Sequence, residues 1–116
     1  MTLDPGQVAR IAVDVASEKQ AEDIVMLDIR EMTTFADYFV IMSANSRRQL
    51  QALQEDLTKS LKELGVPIHH REGTSDSGWL LLDYVDVIIH LFGAEERDYY
   101  RLDQLWAGAP QVVRVL

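Results

Sequence analysis

The chain has 116 residues, 47% of them hydrophobic, no cysteine, and a formal net charge of −8. That is one domain's length, with enough apolar material for a core without covalent staples. Disulfides, zinc–thiolate sites and thiol nucleophiles are excluded, and the composition fits a reducing compartment. So acidic a surface repels nucleic acid unless its basic residues gather in one patch. The eleven Lys and Arg are scattered along the chain, so a basic protein partner is expected and direct nucleic-acid binding is not.

The opening MTLDPGQVAR has neither the basic and apolar regions of a secretory signal nor the arginines of a transit peptide. No apolar run reaches the roughly 20 residues a membrane helix needs. The expectation is a cytoplasmic protein with no membrane contact. Asp4-Pro5 is a helix start, an N-cap followed by proline at the first helical position. Val8, Ile11, Ala12, Val15 and Ala16 then recur at helical spacing, predicting a helix from Pro5 to Lys19. Ile24 to Ile29 is short and β-branched at both ends and predicts a strand. Arg30 to Asp37 is a polar connector, and Tyr38 to Met42 is a second strand.

Ser43 to Ser46 supplies cap residues, and Leu50, Leu53, Leu57, Leu61 and Leu64 predict a helix from Ser46 to Leu64. It is closed by Gly65 and Pro67. Val66 to Arg71 predicts a short third strand, and Glu72 to Gly78 a loop. Trp79 to Phe92 is long enough for two strands. Gly93 breaks the run, and Ala94 to Trp106 predicts a last helix. The tail, 107–116, is either a loose end or an extra edge strand. One domain over 1–106, followed by that tail, gives an α/β (α+β) fold with one mixed sheet of about five strands flanked by helices.

The segment WLLLDYVDVIIH carries the sharpest question. A turn at Tyr84-Val85 would pair Asp83 with Asp86, Leu81 with Ile88 and Trp79 with His90, all on one face. Leu80, Leu82, Tyr84, Val85, Val87, Ile89 and Leu91 would form the other, core-facing side. Opposed aspartates suggest a compensating cation, either a metal or a partner's Lys or Arg; a solvated hairpin tip, where Asp is a good turn former, is the favoured explanation. Paired carboxylates also suggest nucleotidyl transfer, which needs acids clamping two metal ions. That reading lacks support, because the spacing is Asp-x-x-Asp and no Gly-Ser dipeptide occurs. His69 and His70 point to opposite faces of a strand, so a metal site there is disfavoured. Asn45-Ser46-Arg47-Arg48 could receive an anion at a helix N-terminus or be an ordinary cap with surface arginines. No phosphate-loop motif is present.

Taken together, DIVMLDI at Asp23 to Ile29, DYFVIMSANSRRQ, Glu72-Gly73, WLLLDYVDVIIH and the final R-x-x-Y-x-L-D-x-L-W resemble the ribosomal silencing factor (RsfS, Iojap) family over almost the whole chain. The resemblance implies a nucleotidyltransferase-like fold without its catalytic motif and a non-enzymatic factor with no cofactor and no metal. Such a factor binds the large ribosomal subunit through ribosomal protein uL14, blocks subunit joining, represses translation under nutrient limitation, and is a homodimer when free. Carried over by motif are Trp79, Asp83, Asp86 and His90, together with Arg97, Tyr100, Leu102, Leu105 and Trp106, and Ser46 and Arg47. The expected partner-binding set is Trp79, Leu81, Asp83, Asp86, Ile88, His90, Tyr100, Leu102 and Trp106. The alternative is a divergent nucleotidyltransferase-like enzyme using Asp83 and Asp86.

Overall fold

The structure, a computed structural model, describes residues 3–116. Asp4 starts the first helix as its residue type dictates. Its carboxylate accepts the Gln7 N–H at 2.8 Å, while the Gln7 side chain accepts the Asp4 N–H at 2.9 Å. This helix, α1, spans Pro5–Glu18. Strand β1 follows over Glu22–Asp28 and β2 over Tyr38–Ala44. Helix α2 spans Arg47–Glu63 behind the Ser46 cap, and Gly65 closes it at φ 85°, the left-handed conformation glycine adopts without strain.

Strand β3 is His70–Thr74, four residues later than Val66 to Arg71 predicts. All five of its residues are exposed, so it carries no apolar period by which to place it. A single 3-10 turn at Ser75–Ser77 leads into β4, Trp79–Asp83, and then β5, Val87–Gly93. The expected last helix is two: α3, Ala94–Tyr100, and α4, Leu102–Leu105, broken at Arg101, whose φ of 49° is left-handed. Part of the tail is strand β6, Gln111–Val115, hydrogen-bonded to β1, which adds it to the same sheet. The sheet therefore has six strands, in the order β3-β4-β5-β2-β1-β6, antiparallel except for the parallel β2–β5 pair.

Both faces of the central strands are covered, which is why β1, β2 and β5 read as continuous apolar runs. On one face α1 and α2 bury Ile24, Met26, Val40, Met42, Leu80, Leu82, Ile89 and Leu91 against Leu50, Leu53, Leu57 and Leu61. On the other, Val25, Leu27, Phe39, Ile41, Ile88 and Phe92 lie under Leu102 and Trp106, with Trp79 and Leu81 beside them.

The β4–β5 hairpin differs from the expected register by two residues: Trp79 pairs with Phe92, Leu81 with His90 and Asp83 with Ile88. A two-residue slip preserves which face each side chain occupies, so the face assignments stand, with one exception. Val85 is not in the core but exposed in the turn with Asp86. The pairing of Asp83 with Asp86 is overturned. Tyr84 N–H donates to the Val87 carbonyl at 2.9 Å, and the Asp86 carbonyl accepts from Asp37 N–H at 2.8 Å and Tyr38 N–H at 3.1 Å. The tip is thus tied to the β1–β2 connector, which holds Val85 at φ 74°. A β-branched residue is strained there. Val85→Gly should relieve that strain and raise stability by about 1 kcal/mol, read as a higher urea midpoint with an unchanged slope.

Candidate functional site

Strand alternation sends Trp79 and Leu81 of β4, and Ile88, His90 and Phe92 of β5, to the face covered by α3 and α4. Trp79 stacks on Phe92, its pairing partner, with ring centroids 5.1 Å apart, and Tyr100 lies 4.5 Å from it. Trp106 stands edge-on to Phe39 at 4.9 Å and to Phe35 at 5.9 Å. The structure therefore brings Trp79, Leu81, Ile88, His90, Tyr100, Leu102 and Trp106 into one aromatic layer. It does not bring the two aspartates into it as a pair. Asp83 lies at the edge of the layer and accepts the Val85 N–H at 2.7 Å, the ordinary work of an aspartate before a turn, and Asp86 is exposed in that turn.

Accessibility divides the set. Ile88 and His90 are buried, so they support the layer from beneath. Trp79, Leu81, Leu102 and Trp106 are half-buried, and Tyr100 is exposed. Sequence reasoning missed Phe35 and Met32, exposed in the connector; Leu105, carried over by motif but not placed in the partner-binding set, and Tyr99 are 74% and 79% exposed. The available signal was large apolar side chains within polar, turn-rich or terminal segments.

His90 is neutral in this setting. Trp79 Nε1–H donates to His90 Nδ1 at 3.2 Å, and because indole only donates, the imidazole proton must sit on Nε2. Burial pushes the imidazole pKa from 6.5 down to about 4, opposed only in part by the charge of Asp103. Nε2 has no hydrogen-bond partner among the described residues, and the ring packs edge-to-face with Phe39 at 4.9 Å.

The covering helices are held by Arg97, whose side chain is 10% exposed. Its guanidinium donates to Asp103 at 3.0 and 2.8 Å, to the Asp23 carbonyl at 2.9 Å, to Ser43 Oγ at 2.9 Å and to the Asp23 carboxylate at 3.4 Å. Asp23 can present its carbonyl because it sits in a bulge of β1 at φ 45°. Arg114 of β6 adds two bonds to the same carboxylate at 3.0 Å. Burial works to raise the Asp103 carboxyl, but Arg97's hydrogen bonds and charge prevail and hold it below the usual carboxylate range.

The remaining sequence candidates are structural. Ser46 caps α2, and Arg47 donates to the Ser75 carbonyl at 2.9 Å and to that of Asp76. His69 and His70 are exposed, and His70 meets Glu72 at 3.1 Å.

Two outcomes follow from this electrostatics. Arg97→Ala should cost about 2 kcal/mol, below the usual cost of breaking a fully buried pair because Asp23 and Asp103 keep part of their hydration. Thermal melting of the variant checks it, and Arg97→Lys should recover only part of the loss. For His90, the folded pKa lies below the unfolded one, so the unfolded chain binds the extra proton between pH 6.5 and about 4. Its contribution is complete above pH 6.5 and is lost as pH falls through that window. Urea titrations should show about 2 kcal/mol less stability at pH 5 than at pH 7, and His90→Gln, which keeps an acceptor for Trp79, should flatten that slope.

A family model described as ribosomal silencing factor during starvation matches residues 2–115. A ribosomal silencing factor RsfS of Halalkalibacterium halodurans is 38% identical over 106 residues, 91% of each chain. That of Bacillus subtilis is 38% identical over 108 residues, 93% of this chain and 92% of the relative. A crystal structure of a Chromobacterium violaceum protein superposes with a TM-score of 0.86 at 28% identity, covering 98% of this chain and 94% of that one. The six-stranded sheet, its two packed faces and these matches over nearly the full length lead to one conclusion: the chain belongs to the ribosomal silencing factor (RsfS) family.

Proposed function

We propose that the face built by α3, α4 and the β4–β5 hairpin docks on ribosomal protein uL14 of the large ribosomal subunit, and that the bound factor sterically blocks subunit joining. One observation carries this reading. Met32, Phe35, Tyr99, Tyr100 and Leu105 are exposed on the side where Trp79 and Trp106 are half-buried, whereas α1 and α2 cover the opposite face of the sheet with their own apolar stripes. Exposed aromatic residues rimmed by charge mark protein interfaces, and a net charge of −8 favours a basic protein partner.

In this reading Tyr100, Leu105, Trp106 and the accessible edge of Trp79 make contact, together with Leu81 and Leu102. Ile88 and His90 set the position of Trp79 from below. Asp83 and Asp86, at the tip end of the hairpin, meet basic side chains. The action is occupation of space with no substrate turned over, it takes place in the cytoplasm, and the free protein pairs with itself through the same kind of apolar contact. The names of the curated relatives, ribosomal silencing factors, support the assignment to translation and its repression.

Tyr100 and Leu105 are cleaner probes than Trp79, because Trp79→Ala also removes the donor to His90. Loss of one well-packed anchor is worth about 2 kcal/mol, so Tyr100→Ala and Leu105→Asp should each weaken co-sedimentation with purified large subunits by roughly 30-fold while melting stays within a few degrees of wild type. Wild-type protein should also lower the light-scattering signal of subunit association. Undiminished co-sedimentation of both variants would refute the docking face.

A further inference from the structure

At the sheet edge beside the aromatic layer lies a cleft of about 300 Å³, lined by Glu72, Gly73, Ser77, Trp79, Leu81 and Tyr100. Its shape follows from the β3–β4 register. Glu72 pairs with Leu81, which places its carboxylate on the same face as Trp79. Gly73 has φ 83°, and a Cβ there would fall 2.0 Å from the Trp79 carbonyl oxygen, so no side chain can enter the cleft from that position. Trp79 and Tyr100, 4.5 Å apart and inclined by 48°, present aromatic surface to it. The Glu72 side chain is 64% exposed, and its one ion-pair partner among the described residues is His70 at 3.1 Å on the same edge strand. Asp83 pairs with His70, so a second carboxylate stands on this face.

Two aromatic rings and an exposed carboxylate, met only by the His70 ring among the described residues, around an open cleft are the chemistry that receives a guanidinium. Its flat cation stacks on a ring face while its paired N–H groups bond a carboxylate side-on. A lysine ammonium is a more strongly hydrated point charge and matches only half of this arrangement. An apolar side chain would give Glu72 nothing beyond its contact with His70. The cleft also borders β3, which closes the sheet and pairs only with β4, so an extended segment can lie along its outer edge.

We propose that this cleft takes an arginine side chain from a basic, extended segment of a protein partner, with Trp79 and Tyr100 stacking on the guanidinium and Glu72 bonding it. This deepens the docking reading above, since the cleft belongs to the same face.

The test uses the full chain and two readouts. In the first, the Trp79 indole N–H resonance is followed during titration with an acetylated, amidated Gly-Arg-Gly peptide. The same peptide with citrulline or lysine in place of arginine, and free arginine, serve as comparisons. In the second, wild type, Glu72→Gln and Glu72→Lys are co-sedimented with purified large subunits at low and high salt. Glu72 is exposed, so melting should be unchanged in both variants. The arginine peptide should bind at least about tenfold more tightly than the citrulline and lysine peptides, and Glu72→Gln should remove that preference. Glu72→Gln should weaken subunit binding by roughly five- to tenfold and flatten its salt dependence, with a larger loss for Glu72→Lys. Equal binding of the arginine and citrulline peptides, or no effect of Glu72→Gln on the peptide, overturns the proposal. A lysine peptide that binds equally overturns the guanidinium assignment, and free arginine that binds as tightly as the peptide overturns the protein source. If wild type does not co-sediment at all, the docking reading fails, and the peptide titration still decides the cleft.

Discussion

The guanidinium of Arg97 joins four parts of the chain that are far apart in sequence: the β1 bulge at Asp23, Ser43 near the end of β2, its own helix α3, and Asp103 on α4. Beside the packing of Tyr100, Leu102 and Trp106 on the sheet, that junction is what holds the two short helices in place, for they are seven and four residues long and contain no fully buried side chain. Isolated helices of such length are not stable in water, so their positions must be imposed by tertiary contacts. Because Tyr100, Leu102 and Trp106 ride on them, the aromatic layer depends on a polar anchor at one end. The same Asp23 also receives Arg114 from β6, which ties the last strand to the same junction.

That arrangement explains how the two faces of the sheet come to differ. On the α1–α2 face, long helices with regular apolar stripes close over the strands and, among the described residues, leave no large aromatic exposed. On the other, short helices roof a layer of Phe39, His90, Phe92 and Trp79, and their outer side chains, with those of the β1–β2 connector, stay in water. A histidine inside that layer is tolerated because it is neutral and because its Nδ1 finds the Trp79 indole. The polar group thereby gives the Trp79 indole N–H an acceptor where its ring stacks on Phe92.

Much of the fold was legible where a period was strong. The Asp4-Pro5 cap and the leucine repeat of α2 located both long helices within a residue or two, and the runs in β1, β2 and β5 located the central strands. The errors fall where hydrophobic pattern carries no information. HREGT is a strand with every side chain exposed, so nothing alternates. The hairpin register could move by two residues without exposing the core face, and the choice between the registers rests on backbone bonds from Asp37 and Tyr38 to Asp86. The break at Arg101 follows a residue type that ordinarily continues a helix. Of the site, the aromatic members were readable as a set, but Ile88 and His90 lie beneath the surface, and Glu72, Phe35 and Met32 reach it from segments that read as turns or connectors.

By itself the sequence determined the secondary-structure inventory of the long elements, which strand residues share a face, the family, and the acidic character that favours a basic partner, because each of these depends on local period, composition or ordered motifs. Only the tertiary structure decided that Asp83 and Asp86 are not a pair, that the tail is a sixth strand, and which members of WLLLDYVDVIIH are reachable from solvent. Those outcomes rest on contacts between residues distant in the chain: the turn bonded to the β1–β2 connector, β6 laid against β1, and two short helices held over the sheet by Arg97 and by the packing of Leu102 and Trp106.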